Sequence, residues 1–311
     1  MHHTIIKPNV HTTRVSDFEL SSLHDGEVAI ISSDSFENRG DLDAWNEIKG
    51  SHKEQAIIIT PKSHDQVIFS VKGGAPKELS LRNDRELANV LNDSKYLIDI
   101  TSFRHNVWAP IIKNLLERGI QTRALYIEPD SYKPHPNPSS ETTFDLTNSF
   151  EGMLPLPGFS NLNGPDDENK CIAVALLGFE GSRPQRLIMS IDPEPKVFSV
   201  IGIPGFKLNY PSYTVTSNST FLNEYGYNGK VLHARASCPF ELYNLLLKIK
   251  QDYPEHYLYI APVGTKPHAL GAIMFNVDHG ETTEIIYDNP SVKKGRTEGR
   301  ANIHIYNLWE R

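Results

Sequence analysis

The sequence predicts an α/β fold made of two halves, each built around a parallel β-sheet. Short apolar runs are followed repeatedly by a polar turn and then by an amphipathic stretch, which is the order of strand, turn and helix in such sheets. In the clearest instance, residues 96–100, 107–118 and 122–127 give strand, helix and strand within about 30 residues, as in a βαβ unit. Residues 129–169 are rich in proline, glycine and charge without periodicity, which indicates a long connection between the halves. We therefore expect two domains, residues 1–150 and residues 151–311.

The first half is predicted to contain five strands and three helices. Its strands are short runs of mainly apolar residues, and its helices show apolar positions at helical spacing. Asn83 is suited to cap a helix and Gly119 to end one. The predicted strands are residues 27–32, 56–60, 67–71, 96–100 and 122–127, and the predicted helices are residues 41–49, 83–91 and 107–118.

The second half repeats this pattern. The run Cys171–Leu177 contains only apolar residues, as expected for a strand buried on both faces of its sheet. Ser182 and Ser237 are predicted helix caps, each followed two residues later by a proline that would start the helix. The predicted strands and strand-like segments are residues 171–177, 196–203, 230–236, 257–261, 284–288 and 301–308, and the predicted helices start near Pro184 and Pro239. The sequence thus predicts two Rossmann-like parallel-sheet halves.

Composition narrows the classes of function. The net charge of −7 argues against broad binding to nucleic acid, although a local basic groove remains open. No apolar run reaches the roughly 18 residues of a membrane helix, and the first residues lack the features of a signal peptide, so we expect no membrane contact and a cytoplasmic location. The two cysteines are too few for a disulfide framework or a zinc site.

The turn Gly264-Thr265-Lys266-Pro267 has the composition of an anion site at the end of a strand. Gly264 would let the backbone approach a ligand closely, Thr265 offers a hydroxyl group, and Lys266 supplies a positive charge. Pro267 suits the first turn of a helix, whose free N–H groups attract anions. The alternative is an ordinary turn from strand to helix, with the lysine in water.

The other strand ends of the second half extend this candidate site. Ligands of parallel sheets bind beyond the carboxyl ends of the strands, and in this half those ends are rich in glycine, hydroxyl groups and basic side chains. These groups suit a phosphate or a nucleotide, and Glu180 would accept a hydrogen bond from a ribose hydroxyl or a base amine. The predicted ligand-binding residues are Gly178, Glu180, Gly181, Ser182, Arg183, Gly205, Ser237, Gly264, Thr265 and Lys266.

The strand ends of the first half carry carboxylates instead. Asp34, Asp99 and Glu128 would hold Mg²⁺ if they converged, and this is the only cofactor that the sequence suggests. The alternatives are that Asp99 caps the following turn and that Glu128 is a surface residue. His105 is a candidate general base, but a histidine at a helix start is also common as a polar turn residue.

Residues 288–300 form a glycine-containing loop with an excess of basic side chains. Such a loop suits a lid over an anionic ligand or a contact with a partner, and a solvated hairpin loop is the alternative. Its basic residues are Lys293, Lys294, Arg296 and Arg300.

The segment Gly264–Gly271, placed after a strand in a Rossmann-like half, resembles the Gly-Thr-Lys segment of CRISPR-associated Rossmann-fold (CARF) and related SAVED sensor domains. The resemblance covers residues 171–290 as an order of elements and is specific at Gly264, Thr265 and Lys266, with 178–182 as the matching loop of the first strand. In that family this segment lines a pocket for oligoadenylates. The resemblance implies a nucleotide-sensing role in prokaryotic antiviral defence.

Three functions follow from these observations. The first is a nucleotide-binding sensor or regulatory subunit that acts through a protein partner or as a homo-oligomer. The second is a Mg²⁺-dependent enzyme that acts on a nucleotide or another phosphorylated substrate. The third is a structural subunit of a defence complex. The negative charge and the lack of a recognisable catalytic arrangement favour the first and third over the second.

Overall fold

The computed structural model describes residues 5–35, 37–51, 55–71, 74–139, 142–150, 152–161, 164–226 and 230–309. The chain divides into two compact units, and each unit contains two separate segments of the chain. The first unit consists of Asn9–Tyr132 and Lys294–Arg311, and the second of Lys133–Lys293 with the described residues up to Pro8. Each unit contains helices and its own sheet, so the fold is mixed α/β.

Strands and helices are numbered in chain order. The strands are β1 (Thr12–Val15), β2 (Val28–Ser32), β3 (Ala56–Pro61), β4 (Gln66–Val71), β5 (Lys77–Ser80), β6 (Lys95–Asp99), β7 (Gln121–Tyr132), β8 (Thr147–Phe150), β9 (Cys171–Leu176), β10 (Lys196–Gly202), β11 (Lys230–Ala234), β12 (Tyr257–Pro262), β13 (Thr283–Ile285), β14 (Pro290–Val292) and β15 (Thr297–Asn307). The helices are α1 (Pro8–His11), α2 (Asp43–Ser51), α3 (Asp84–Val90), α4 (His105–Glu117), α5 (Ser182–Met189), α6 (Tyr210–Ser217), α7 (Ser219–Tyr225), α8 (Pro239–Asp252) and α9 (Lys266–His279), with short 3₁₀ turns at 20–22, 38–40 and 280–282.

The first unit contains an eight-stranded sheet in the order β1-β15-β7-β6-β2-β3-β4-β5. Its four central strands, β7, β6, β2 and β3, are parallel, which confirms the βαβ unit predicted for β6, α4 and β7. The expectation of a wholly parallel sheet is wrong at both edges. For example, β4 pairs antiparallel with β3 because only residues 62–65 connect them, too few for the crossover that a parallel pair requires.

The last strand also departs from the sequence prediction. We expected residues 301–308 to close the second half, but β15 lies between β1 and β7 in the first unit and is antiparallel to both. Its side chains are buried on both faces: Ile303 and Ile305 pack in a core with Trp45 of α2, and Tyr306 is also fully buried. Alternating residues of this kind show that a strand exists but not which sheet it joins.

The second unit contains a five-stranded sheet in the order β11-β10-β9-β12-β13, and every pairing in it is parallel. All six residues of β9 are buried, as the apolar run 171–177 predicted. A separate antiparallel pair joins β8 to β14. Helices α6 and α7 were not predicted, because their serine, threonine and asparagine residues have low helix propensity.

Of the three residues predicted to cap helices, Asn83 does so and the two serines do not. Asn83 caps α3, since its side chain accepts a hydrogen bond from the Glu86 N–H at 3.2 Å. Ser182 does not cap a helix, because it is itself the first residue of α5 and Gly181 occupies the cap position. Ser237 is also displaced, because the Cys238 thiol accepts from the Glu241 N–H at 3.4 Å and caps α8. No helix in the described part of the chain has the length and apolar character needed to cross a membrane.

Candidate functional site

The candidate site lies at the carboxyl ends of β9 and β12, which are neighbours in the middle of the second sheet. On one side of this pair lie β10 and β11, and on the other side lies β13, so the strand order reverses between β9 and β12. In open parallel sheets, ligands bind in the crevice outside the strand ends at such a reversal. The sheet register pairs Leu176 with Pro262, so Gly178 and Gly264 come two residues later on the two strands.

Gly178 and Gly264 bring the two loops into backbone contact. A Cβ atom on Gly178 would lie 2.7 Å from the Val263 carbonyl oxygen, and one on Gly264 would lie 2.7 Å from the Leu177 carbonyl oxygen. Any larger residue would therefore force the backbone to move. Both glycines were predicted to be ligand-binding residues; in the structure, the partner that each backbone approaches is the other loop.

Helix α9 begins directly after this contact, which confirms the predicted order of strand, turn and helix. The Thr265 hydroxyl accepts a hydrogen bond from the His268 N–H at 3.3 Å and donates one to the Ala236 carbonyl at 2.7 Å, so it caps the helix and joins it to the loop after β11. Lys266 is the first residue of α9, and Pro267 lies in its first turn. The turn thus places Lys266, which is buried and not in water, and the positive end of a 14-residue helix at the reversal point.

Arg183 and Glu180, two predicted ligand-binding residues, are held by protein partners. The Arg183 guanidinium donates to both carboxylate oxygens of Asp288, with Nη2–Oδ1 at 2.7 Å and Nε–Oδ2 at 3.0 Å, and its Nη1 lies 3.2 Å from Glu180 Oε2. Burial opposes the charge of Arg183, but the hydrogen bonds and the negative charge of Asp288 outweigh it and raise the pKa above its usual value. These ion pairs join α5 to the segment after β13, and the two carboxylates compensate the charge of Arg183.

The remaining predicted residues of the site have structural or peripheral positions. A Cβ atom on Gly181 would lie 2.0 Å from the Ser217 carbonyl oxygen, and one on Gly205 would lie 2.9 Å from Pro211 Cδ, so both glycines permit close packing. Ser182 is exposed, and Ser237 is half-buried beside the cap of α8. Among the ten predicted residues, Gly178 and Gly264 come together at the contact of the two loops. Gly205 and Ser237 lie instead on the loops after β10 and β11.

Four aromatic rings at this edge of the sheet were missed by sequence reasoning. Phe179 follows Gly178, Tyr210 and Tyr213 lie on α6, and Phe144 comes from the connection before β8. The Phe179 ring centroid lies 4.8 Å from that of Phe144 and 5.3 Å from that of Tyr210, and the rings of Phe144 and Tyr213 are 5.4 Å apart. The three segments are distant in sequence, so no local pattern could have predicted the cluster. We call these four residues the ring cluster.

His268, in the first turn of α9, is buried and uncharged near neutral pH. Its Nε2 atom lies 3.0 Å from the Arg235 carbonyl oxygen, to which it donates as a neutral imidazole. Burial disfavours the charged form and lowers the pKa of His268 to about 4. The residue therefore fixes the start of α9 without adding charge to the site.

The acidic candidates of the first unit do not form one site. Asp99 accepts hydrogen bonds from the Thr101 N–H at 2.8 Å, the Ser102 hydroxyl at 2.7 Å and the Trp45 indole at 3.1 Å, which agrees with the predicted capping role. The register pairs Asp99 with Leu125, and Glu128 is three residues further along β7, so the two carboxylates point to opposite faces of the sheet.

Glu128 is not the surface residue that the alternative reading of the sequence expected. It is buried, with Oε1 2.6 Å from His304 Nε2 and Oε2 2.8 Å from Asn302 Nδ2. Burial alone would raise the pKa of Glu128, but the hydrogen bonds from His304 and Asn302 lower it below its usual value. His105 is the first residue of α4 and packs against Trp108, with ring centroids 5.2 Å apart. Across the described ranges, no three His, Cys, Asp or Glu side chains lie close enough to hold a metal ion.

Two basic residues of the loop 288–300 form ion pairs, each with a carboxylate of its own unit. Lys293 forms an ion pair with Asp145, and Arg296 donates to Glu37 at 2.6 Å. Two of its four basic side chains therefore have carboxylate partners of their own. This argues against a freely moving lid.

Neither a protein-family model nor a curated protein matches this chain.

Proposed function

We propose that the second unit binds an anionic nucleotide at the carboxyl ends of β9 and β12, and that the protein is a sensor or regulatory subunit. The observation that carries the proposal is the position of Lys266: it starts α9 at the point where the order of an all-parallel sheet reverses. Within this unit the strand order is third, second, first, fourth, fifth, as in Rossmann-like nucleotide-binding sheets.

The chemistry of this edge suits a phosphate group. The first N–H groups of α9 lack partners within the helix, and the helix dipole favours a negative charge there. Lys266 adds a full positive charge in the same turn. Arg183 contributes little, because Asp288 and Glu180 already compensate its charge. We assign the anion to the start of α9 and to Lys266, which is buried in the first turn of this helix.

The role in signalling rests on the resemblance of the turn to CARF and SAVED domains. A nucleotide sensor of this type would work in the cytoplasm of a prokaryotic cell, in an antiviral defence system, and would pass its signal to a partner protein or to a second copy of the chain. The acidic residues of the first unit give no support to a Mg²⁺-dependent reaction, since Asp99 and Glu128 point to opposite faces of their sheet.

Mass spectrometry of small molecules released from the purified protein tests the proposal. We expect the wild-type protein to release a phosphorylated nucleotide and Lys266→Ala to release about a tenth as much or less, because a hydrogen bond to a charged group contributes about 1.5–3 kcal/mol. Lys248→Ala, which removes an exposed lysine of α8, is the control for loss of one positive charge. Equal release from wild type and Lys266→Ala would contradict the assignment.

A further inference from the structure

Arg39 is a buried cation of the first unit with unsatisfied N–H groups. It lies in the short 3₁₀ turn 38–40 after β2 and is 4% exposed. Its Nη2 atom is 3.9 Å from Glu37 Oε1, which is too far for a hydrogen bond. Among the residues that the structure describes, the Nε and Nη1 atoms of Arg39 have no hydrogen-bond partner. Three of the five N–H groups of this guanidinium are therefore buried and unpaired.

The carboxylate of Glu37 is already used by a second arginine. Arg296 donates to Glu37 Oε1 from Nε at 2.8 Å and from Nη2 at 2.6 Å, and the Thr297 hydroxyl donates to Oε2 at 2.9 Å. Two guanidinium groups thus share one carboxylate, and Arg296 has the shorter contacts. The cluster of Arg39, Glu37 and Arg296 therefore carries one positive charge that these three residues do not compensate.

The aromatic neighbours of Arg39 do not supply the missing negative charge. The guanidinium carbon lies 5.4 Å from the centre of the Tyr126 ring, and the Tyr132 hydroxyl also interacts with this side chain. Burial raises the pKa of both tyrosines, so both are neutral near pH 7. The guanidinium itself cannot lose its proton in this range. Because a buried charge without full compensation is unfavourable, the cluster favours the binding of an anion.

The turn that carries Arg39 lies where α/β sheets bind their ligands. In the first sheet, β3 lies on one side of β2, and β6 and β7 lie on the other, so the order of the parallel strands reverses between β2 and β6. A Cβ atom on Gly40 would lie 2.2 Å from Ser102 Oγ in the loop after β6 and 2.5 Å from Ser35 Oγ in the loop after β2. The turn is therefore packed against the carboxyl ends of both strands, at the edge where open parallel sheets bind ligands.

We infer that Arg39 and Arg296 form a binding site for a small oxyanion, a phosphate or a carboxylate, in the first unit. Guanidinium N–H groups match the oxygen atoms of both anions in geometry and in charge. The unpaired nitrogens are themselves buried, so the site suits an anion of a few atoms and not a nucleotide or a polymer. Arg296, at 17% exposure, is the most exposed member of the cluster. The site belongs to a different unit from Lys266 and does not depend on the proposed function.

Equilibrium dialysis with radiolabelled phosphate and radiolabelled acetate, at constant ionic strength in chloride buffer, tests the site. We expect wild type to bind at least one of the two probes, and Arg39→Met to bind that probe at least tenfold more weakly, because hydrogen bonds to a charged group are lost. Arg85→Met removes an exposed arginine of the same unit and should bind like wild type. Lys266→Ala should keep this bound anion, which separates the site from the proposed site of the second unit. The fluorescence of Trp45, which is buried in the first unit, checks the fold of each variant.

The probe that binds more tightly identifies the anion as a phosphate or a carboxylate. If neither probe binds to wild type, or if folded Arg39→Met binds as tightly as wild type, the inference is overturned. Binding that is lost in Lys266→Ala and kept in Arg39→Met would place the anion in the second unit alone and would also overturn it. Arg39→Lys keeps the charge but lacks the planar fork, so it should bind more weakly than wild type. If Arg39→Met does not fold, equal affinity of Arg39→Lys and wild type overturns the inference.

Discussion

The burial of His268 makes the stability of the folded protein depend on pH. Folding lowers its pKa from 6.5 to about 4, so the unfolded chain binds this proton more readily than the folded one. The contribution of His268 to the free energy of unfolding is therefore complete above about pH 6.5. It is lost as the pH falls towards 4. The size of the shift corresponds to about 3 kcal/mol.

We predict that His268→Gln will flatten the pH dependence of stability between pH 6.5 and 4. Glutamine can still donate to the Arg235 carbonyl but binds no proton in this range. Urea unfolding at several pH values, with wild type as the reference, measures the difference. Other groups, such as Glu128, titrate in both proteins and cancel in the comparison. Parallel stability curves for the two proteins would show that His268 is not responsible.

The sequence predicted strand β12, the turn after it and the start of helix α9, but not the side-chain contacts around them. The apolar run of β12, the turn and Pro267 specified strand, turn and helix locally, and the structure confirms them. The roles of Thr265 and Arg183 could not be predicted, because their partners Ala236 and Asp288 come from other loops. Sequence patterns report local structure, whereas these contacts depend on the packing of distant segments.

The close contact of the loops after β9 and β12 predicts that neither Gly178 nor Gly264 tolerates a larger residue. Gly178→Ala should lower the free energy of unfolding by about 1–3 kcal/mol, because the added methyl group would press on the Val263 carbonyl and force the backbone apart. Gly280→Ala is the matched control, since a Cβ atom there meets nothing within 4 Å and should change stability by less than about 0.5 kcal/mol. Chemical denaturation compares the two variants, and equal stability would contradict the close contact of the two loops.

The first unit is built from two separate segments of the chain. All three tryptophans, Trp45, Trp108 and Trp309, belong to this unit. Trp45 and Trp108 are buried, whereas Trp309 is 43% exposed. A shift of tryptophan fluorescence to longer wavelength therefore reports the loss of packing in the first unit.

We predict opposite fluorescence results for two matched core substitutions. Ile303→Asp places a charge in the core of the first unit and should shift the emission to longer wavelength, whereas Ile172→Asp disrupts the second unit and should leave the emission near that of wild type. Circular dichroism should show a partial loss of structure in both variants. An equal shift in the two proteins would mean that the units do not fold independently.

The position of β15 also sets an order of events during synthesis. The strand that joins β1 to β7 follows residues 133–293 in the chain, so a ribosome must make nearly all of the second unit before this strand exists. At about 5–20 residues per second, that delay is about 10 to 30 seconds. During this time β7 is an open edge with unpaired backbone groups, which can pair with another chain. We therefore expect the nascent protein to aggregate most readily between the completion of β7 and the arrival of β15.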